Sequence, residues 1–296
     1  FGERVVLRLL DKAANILSLE EIGLGDELLQ PFESMIRKSH GIFLVTGPTG
    51  SGKTTTLYAA LTRLNNRETN IITVEDPIED QLPGVGQIQV TPKIDLTFAN
   101  GLRSILRQDP DIIMVGEIRD RETAEIAVQS ALTGHMVFST LHTNDAAGAV
   151  SRLVDMGVEP FLVSSSLIGV MAQRLVRRVC PTCREAYSPS PEQLSDLGID
   201  ATVTAGKQFY RPHSGGCEAC LGTGYRGRTG IYELLAVDEE MRNLIVTNPT
   251  AGAVKRLALA RGMRTLRDDG AEKVMAGITT MEEVLRVTQE EVIDLE

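Results

Sequence analysis

The stretch GPTGSGKTT, Gly47–Thr55, constrains this chain more than any other part of its sequence. Gly47, Gly50 and Gly52 can take backbone angles closed to residues with side chains, so successive N–H groups can point inward at phosphate oxygens. In such a loop Lys53 reaches the outer phosphates and Thr54 ligates magnesium, with Pro48, Thr49, Ser51 and Thr55 completing the cradle. The flanks are those the loop requires: an apolar run, GIFLV (41–45), before it and a helical pattern, KTTTLYAALTRL, after it. A chance glycine-rich turn would have no reason to carry both. The loop predicts binding of a nucleoside triphosphate and leaves open what the energy drives.

The same alternation continues to about residue 176. Apolar runs at 71–75, 111–116 and 135–140 alternate with helical patterns, the signature of a parallel sheet covered by helices. Phe98, Leu102, Ile105 and Leu106 share one helical side, and Ala124, Ala127, Val128 and Ala131 form one stripe, with Gly134 as its C-terminal stop. QIQV (87–90) reads as a hairpin insert, and Phe161–Val176 as an apolar helical stretch interrupted by Ser164, Ser165, Ser166 and Gln173. Ser, Pro, Gly and Cys then dominate to about residue 230, followed by helical patterns to the end. The division expected is 1–20 as the remnant of a preceding domain, 21–178 as the nucleotide core, 179–229 as a tetracysteine module and 230–296 as a helical subdomain.

Composition narrows the function classes. Thirty basic against forty acidic residues give a net charge of -10, which argues against bulk binding to a nucleic-acid backbone. No apolar run approaches the roughly 18 residues that span a bilayer. The chain opens on Phe1 without an initiator Met or a signal-like segment, so it reads as a fragment lacking its N-terminal part.

Hydrolysis needs a positioned metal and water beside the phosphate loop. Glu75, Asp76 and Glu79 follow the second strand and Glu117 the third, where the carboxyl ends of strands gather ligands. Taken singly, each is as readily a solvated loop acid. His135 and His142 bracket the fourth strand, and His142, at its carboxyl end, can sense a terminal phosphate; a lone His is more often structural. Arg103 and Arg107, four apart on one helix, form either a phosphate fork or a solvated face paired with acids. Arg4 and Arg8, on one side of a basic strand, invite the same thought. The four cysteines fall into two knuckles, Cys180/Cys183 and Cys217/Cys220, a spacing suited to four thiolates about 2.3 Å from a structural zinc, with thiol redox chemistry as the rival.

Together these motifs resemble the secretion ATPases of bacterial type II secretion and type IV pilus assembly. GPTGSGKTTTLYAAL is similar to that family's Walker A, VEDPIE to its Asp box, RQDPDIIMVGEIRDRETAEIA to its Walker B and TGHMVFSTLHTNDA to its His box. The paired knuckles followed by GRTGIYELL resemble the zinc insert of the type II and pilus-extension members, and LVDMGVEPFLVSSSLIGVMAQRLVRRVCPTC looks most like the type II branch. The resemblance implies an α/β, RecA-like P-loop core with a small zinc module and a C-terminal helical subdomain. It also implies ATP and magnesium at Lys53 and Thr54, Glu117 as the Walker B acid, and Glu75 and Glu79 as candidates for activating water. Arg103 and Arg107, with Arg4 or Arg8, would bind phosphate or act across a subunit boundary in a homo-hexamer. The implied protein is a cytoplasmic motor of pseudopilus assembly, docked to the inner-membrane platform through the missing N-terminal region. A pilus-extension motor is the near alternative, and a DNA-translocating RecA-like ATPase a remoter one.

Overall fold

The computed structural model describes Gly2, Val5 and residues 16–289. The expected strand remnant with Arg4 and Arg8 thus lies outside the described residues. Helix α1 (Asp26–Ile36) leads to strand β1 (Gly41–Thr46), and helix α2 (Lys53–Leu64) follows the glycine loop. Strands β2 (Ile71–Glu75) and β3 (Gly86–Gln89) precede α3 (Phe98–Ile105). Then come β4 (Ile112–Val115), α4 (Arg121–Leu132), β5 (Met136–Leu141), α5 (Ala146–Asp155) and α6 (Pro160–Ser166). The long strand β6 (Leu167–Val179) enters the cysteine-bearing segment, which holds β7 (Glu185–Tyr187), α7 (Pro191–Asp196) and β8 (Phe209–Arg211). Strand β9 (Tyr225–Ala236) leaves it, and helices α8 (Glu239–Thr247), α9 (Ala251–Ala260), α10 (Leu266–Met275) and α11 (Met281–Thr288) follow.

The main sheet has the order β3-β2-β4-β5-β1-β6-β9 and is parallel except for its last pair. Every residue of β1 is buried, as a strand covered on both faces must be. Its side chains alternate: Ile42 and Leu44 join the core containing Ala124, Ala127 and Val128 of α4, whereas Phe43 and Val45 join Leu57 and Leu61 of α2 and Phe32 and Ile36 of α1. The alanine stripe of α4 is fully buried, its small side chains letting the helix lie close to the sheet.

Three local expectations are corrected. QIQV does not form a hairpin: β3 pairs parallel with β2, from Ile72↔Gly86 to Glu75↔Gln89. Gln87 explains the geometry, because its amide donates to Glu75 Oε1 (3.0 Å) and Asp80 O (3.0 Å) and accepts from the Leu82 N–H (2.8 Å), folding loop 76–85 back along β2. Phe161–Val176 is not one helix. The hydroxyls of Ser165 and Ser166 donate to the carbonyls of Phe161 (2.7 Å) and Leu162 (2.8 Å), α6 ends, and the chain continues as β6, pairing parallel with β1. Finally, α3 stops at Ile105, so Arg107 lies in a turn and does not share a helical face with Arg103.

A third core joins the far ends of β6 and β9, through Val176 and Ile231, to Leu194, Leu197, Leu266, Val274 and Val284. The cysteine-bearing segment and the last two helices are therefore packed as one. Glu283 of α11 is buried here, accepting from the Arg177 N–H (3.0 Å), Arg177 Nη2 (2.7 Å) and Arg286 Nη2 (3.0 Å). Burial opposes its charge, but the two guanidiniums prevail and hold its pKa down to about 2. A depressed carboxyl pKa contributes stability above its ordinary value of 4.5 that is lost as pH falls toward 2. Glu283→Gln should accordingly cost about 1–2 kcal/mol at pH 7, allowing for water around the half-exposed Arg177. Urea denaturation at pH 7 and pH 3 checks this: the gap between variant and wild type must shrink at the lower pH.

Candidate functional site

The phosphate loop crosses from β1 to α2 with Gly47, Gly50 and Gly52 at φ of 147°, 77° and 89°. A side chain at Gly47 would also meet the Gln173 carbonyl at 2.5 Å. Gly52 is the N-cap of α2, and no side chain accepts from the first turn of that helix. Thr97, Asp120 and Asp145 do cap α3, α4 and α5. The N–H groups of α2 are thus left facing outward, the arrangement in which a helix N-terminus takes an anion. Lys53 is buried and folds across the loop, donating to Gly47 O (2.9 Å) and Pro48 O (3.1 Å). Burial draws its pKa down, opposed by the charges of Glu117 and Glu79 and aided by that of Arg174. The Ser51 hydroxyl is buried with no hydrogen-bond partner among the described residues. A loop with an orphaned hydroxyl, an uncapped helix and a buried cation fits a polyphosphate.

Because β2, β4, β5 and β1 are parallel neighbours, their carboxyl ends form one rim. Glu117 follows β4 and His142 follows β5, with His142 Nε2 3.5 Å from Glu117 Oε2 and Arg119 paired to the same carboxylate. Partial burial and then the Lys53 charge draw the His142 pKa down, which keeps the imidazole neutral at physiological pH. Glu79 is exposed, its N–H donating to Tyr58 Oη (3.3 Å). Glu75 is differently employed. It is buried at the end of β2, accepting from Tyr58 Oη on one oxygen and from Thr73 Oγ1 (2.5 Å) and Gln87 Nε2 (3.0 Å) on the other.

The remaining predicted residues lie apart. Arg103 is paired with Glu122 (2.6 Å) and donates to Asn100 Oδ1 (3.1 Å). Arg107 is exposed, and neither makes a hydrogen bond or ion pair to the phosphate loop among the described residues. His135, at the opposite end of β5 from His142, has its Nδ1 2.9 Å from Ser130 O. Four polar residues behind the loop escaped the sequence reading. Gln173 Nε2 donates to Ser51 O (2.6 Å), Arg174 Nη2 to Asn144 O (2.8 Å) and Lys255 Nζ to Asp145 Oδ2 (3.1 Å), while Glu233 Oε1 accepts from the Ala146 N–H (2.9 Å). Gln173 and Arg174 did leave a signal, as polar residues inside the apolar run LIGVMAQRLV.

Away from this rim, the sulfurs of Cys180, Cys183, Cys217 and Cys220 all lie within 4.8 Å of one another. Cys180 and Cys217 are 3.9 Å apart, Cys183 and Cys220 3.8 Å, and Cys217 and Cys220 3.7 Å. A tetrahedron with metal–sulfur bonds of about 2.3 Å has edges of about 3.8 Å. The N–H groups of Cys217 (3.1 Å) and Gly224 (3.2 Å) point at Cys220 Sγ, support of the kind that orients a ligating thiolate. The cluster can hold a four-coordinate metal ion and leaves no position open for catalysis.

A family model described as "Type II/IV secretion system protein" matches residues 1–286. Type II secretion system protein E of Dickeya dadantii is 58% identical over 291 residues, covering 98% of this chain and 57% of that protein. The type IV pilus assembly ATPase PilB of Thermus thermophilus is 53% identical, covering 98% of this chain and 32% of its own length. Among solved structures, the pilus retraction motor PilT with bound ADP superposes with a TM-score of 0.69 at 30% identity, covering 94% of this chain and 68% of that one. The chain spans little more than half the length of the type II relative. A phosphate loop on a parallel sheet, with a carboxylate and a histidine on the adjoining strand ends, agrees with these likenesses, and the chain belongs to the type II/IV secretion system protein family.

Proposed function

We propose that this chain is the nucleotide-hydrolysing part of a type II secretion ATPase. The observation that carries the reading is the convergence of Lys53, Glu117 and His142 on the uncapped N-terminus of α2. In this reading the loop N–H groups and Lys53 neutralise the β- and γ-phosphates, and Thr54 would hold magnesium, which would supply further charge neutralisation there. Water attacks the γ-phosphorus, the bond to the bridging oxygen breaks, ADP leaves, and the proton of the attacking water passes to a carboxylate. Glu79 suits that role better than Glu75, since Glu79 is exposed and its charge is felt at Lys53. Glu75, with both oxygens engaged, would hold the shape of the rim from below. Glu117 orients His142, whose neutral imidazole can donate to the terminal phosphate.

Arg103, paired with Glu122, and the exposed Arg107 are assigned to a neighbouring subunit's nucleotide, and that assembly to a hexamer. The tetracysteine cluster is assigned to structural zinc. We assign a nucleotide core to 21–178, a zinc module to 179–229 and a helical subdomain to 230–296 as a division of labour and not of packing, since β9 crosses from the second into the third, α8 and α9 pack on the nucleotide core and α10 and α11 pack on the zinc module. Among the described residues no helix is long and apolar enough to cross a membrane, in keeping with a protein held at the cytoplasmic face of the inner membrane by partners. Identity is 58% to the type II relative against 53% to the pilus-assembly relative, and it favours the type II reading. Magnesium-dependent ATP hydrolysis by the full-length protein tests the activity. Deleting the gene tests the branch: loss of exported proteins from the medium with pili intact is expected, and the reverse would assign the protein to pilus assembly.

A further inference from the structure

We propose that Lys255, on α9, is a positioning residue that sets the loop carrying His142. The inference rests on the reading of this rim as an ATP-hydrolysing site. Residues His142–Asp145 join β5 to α5, and only the first of them faces Glu117. The rest are held from behind. Thr46 Oγ1 accepts from the Thr143 N–H (2.9 Å), Arg174 donates to Asn144 O (2.8 Å), and Asp145 is gripped at both carboxylate oxygens. Its Oδ1 caps α5 by accepting the Gly148 N–H (2.8 Å), and its Oδ2 receives Lys255 Nζ at 3.1 Å.

The cap alone does not call for the lysine. Asp120 caps α4 through the N–H and hydroxyl of Thr123, with no cation in its hydrogen bonds. Nor is stability a sufficient reason, because taking an ammonium that is 5% exposed out of water costs about what its pairing returns. What the pair does supply is a fixed distance between two parts of the chain 110 residues apart, the helical tail and the loop after β5. Without Lys255 the Asp145 carboxylate, only 14% exposed, loses its cation. The loop must then turn it toward water, and His142 moves with it, away from Lys53 and Glu117. The phosphate loop and α2 are anchored separately, through Gln173 and the Lys53 contacts, so nucleotide affinity should survive.

The test uses the full-length protein. Lys255→Met should lower kcat for ATP by roughly tenfold to a hundredfold while the Kd of a fluorescent ADP analogue changes by less than about threefold. Lys255→Arg should restore kcat to within about threefold of wild type, because the charge is kept. In Asp145→Asn/Lys255→Met the Asp145 charge is removed together with its cation, so part of the lost thermal stability should return while kcat stays low. A readout independent of turnover is the titration of His142 by NMR in nucleotide-free protein: it should lie below the ordinary histidine range in the wild type and move up toward it in Lys255→Met. Wild-type kcat in Lys255→Met, recovery of kcat together with stability in the double variant, or an unmoved His142 titration would overturn the proposal. Absence of ATP hydrolysis by the wild type would instead overturn the reading it rests on, leaving the His142 titration to decide the positioning role.

Discussion

Lys53→Ala in the full-length protein should reduce ATP hydrolysis by at least about 10³, a loss expected when a preorganised charge is removed from a phosphoryl-transfer site. Two features make the effect larger than a surface lysine would give. Lys53 is buried, so its charge acts in a medium that screens it little, and it bridges Gly47 O and Pro48 O, the entry of the phosphate loop. Alanine therefore removes the cation and frees the loop together, while Glu117 and Glu79 lose the positive charge between them. Binding of a fluorescent ADP analogue should weaken in parallel. Turnover within a few-fold of wild type, in protein of wild-type thermal stability, would refute the hydrolytic reading.

The second large effect concerns the metal. Elemental analysis should find about one zinc per chain, and stripping it with a chelator should unfold the cysteine-bearing segment, since metal sites of this kind supply on the order of 10 kcal/mol. The damage should spread. Leu194 and Leu197 share a core with Leu266, Val274 and Val284, so α10 and α11 lose part of their packing when the segment opens. Cys217→Ser should reproduce the chelator's effect, because Cys217 neighbours both Cys180 and Cys220. A thermal scan with and without chelator is the measurement. An unchanged melting profile in demonstrably metal-free protein would leave the cluster as reduced thiols of no structural consequence.

Much of this architecture was legible in the residues because the rules involved are local. The glycine loop, the apolar runs around it and the alanine stripe of α4 each state their structure within a dozen positions, and the strands at 41–46, 71–75, 112–115 and 136–141 lie within a residue or so of where hydrophobicity places them. What was not legible depends on partners distant in sequence. Gln87 reads as one polar residue in a short alternating run until Glu75 and the 76–85 loop are seen to receive it. Phe161–Val176 has helix-compatible composition, and only the open edge of β1 decides that its second part is a strand. Helix α1 was not anticipated, with Pro31 inside its sequence DELLQPFESMI; burial of Phe32, Met35 and Ile36 outweighs the broken backbone pattern. Lys255 gave no sign at all, since a lysine on an amphipathic helix is ordinarily at the surface, and its carboxylate partner lies in another motif.

Strand β6 has a mechanical consequence. It is a beam of 13 residues, about 40 Å from end to end, clamped at intervals: to β1 along its first half, to the phosphate loop by Gln173, to α11 by Arg177, and to the turn before α11 by the Val179 N–H, which donates to Ile278 O at 2.9 Å. Cys180, the first thiol of the cluster, follows immediately. Along Gly169–Arg177 these clamps leave the beam no joint, and the break in its register with β9 between Arg177 and Val179 is where it can bend. The phosphate loop, held at Gln173, and the tetracysteine cluster, beginning at Cys180, are thus coupled in series through a stiff member whose compliance is concentrated at the irregularity just before the first thiol.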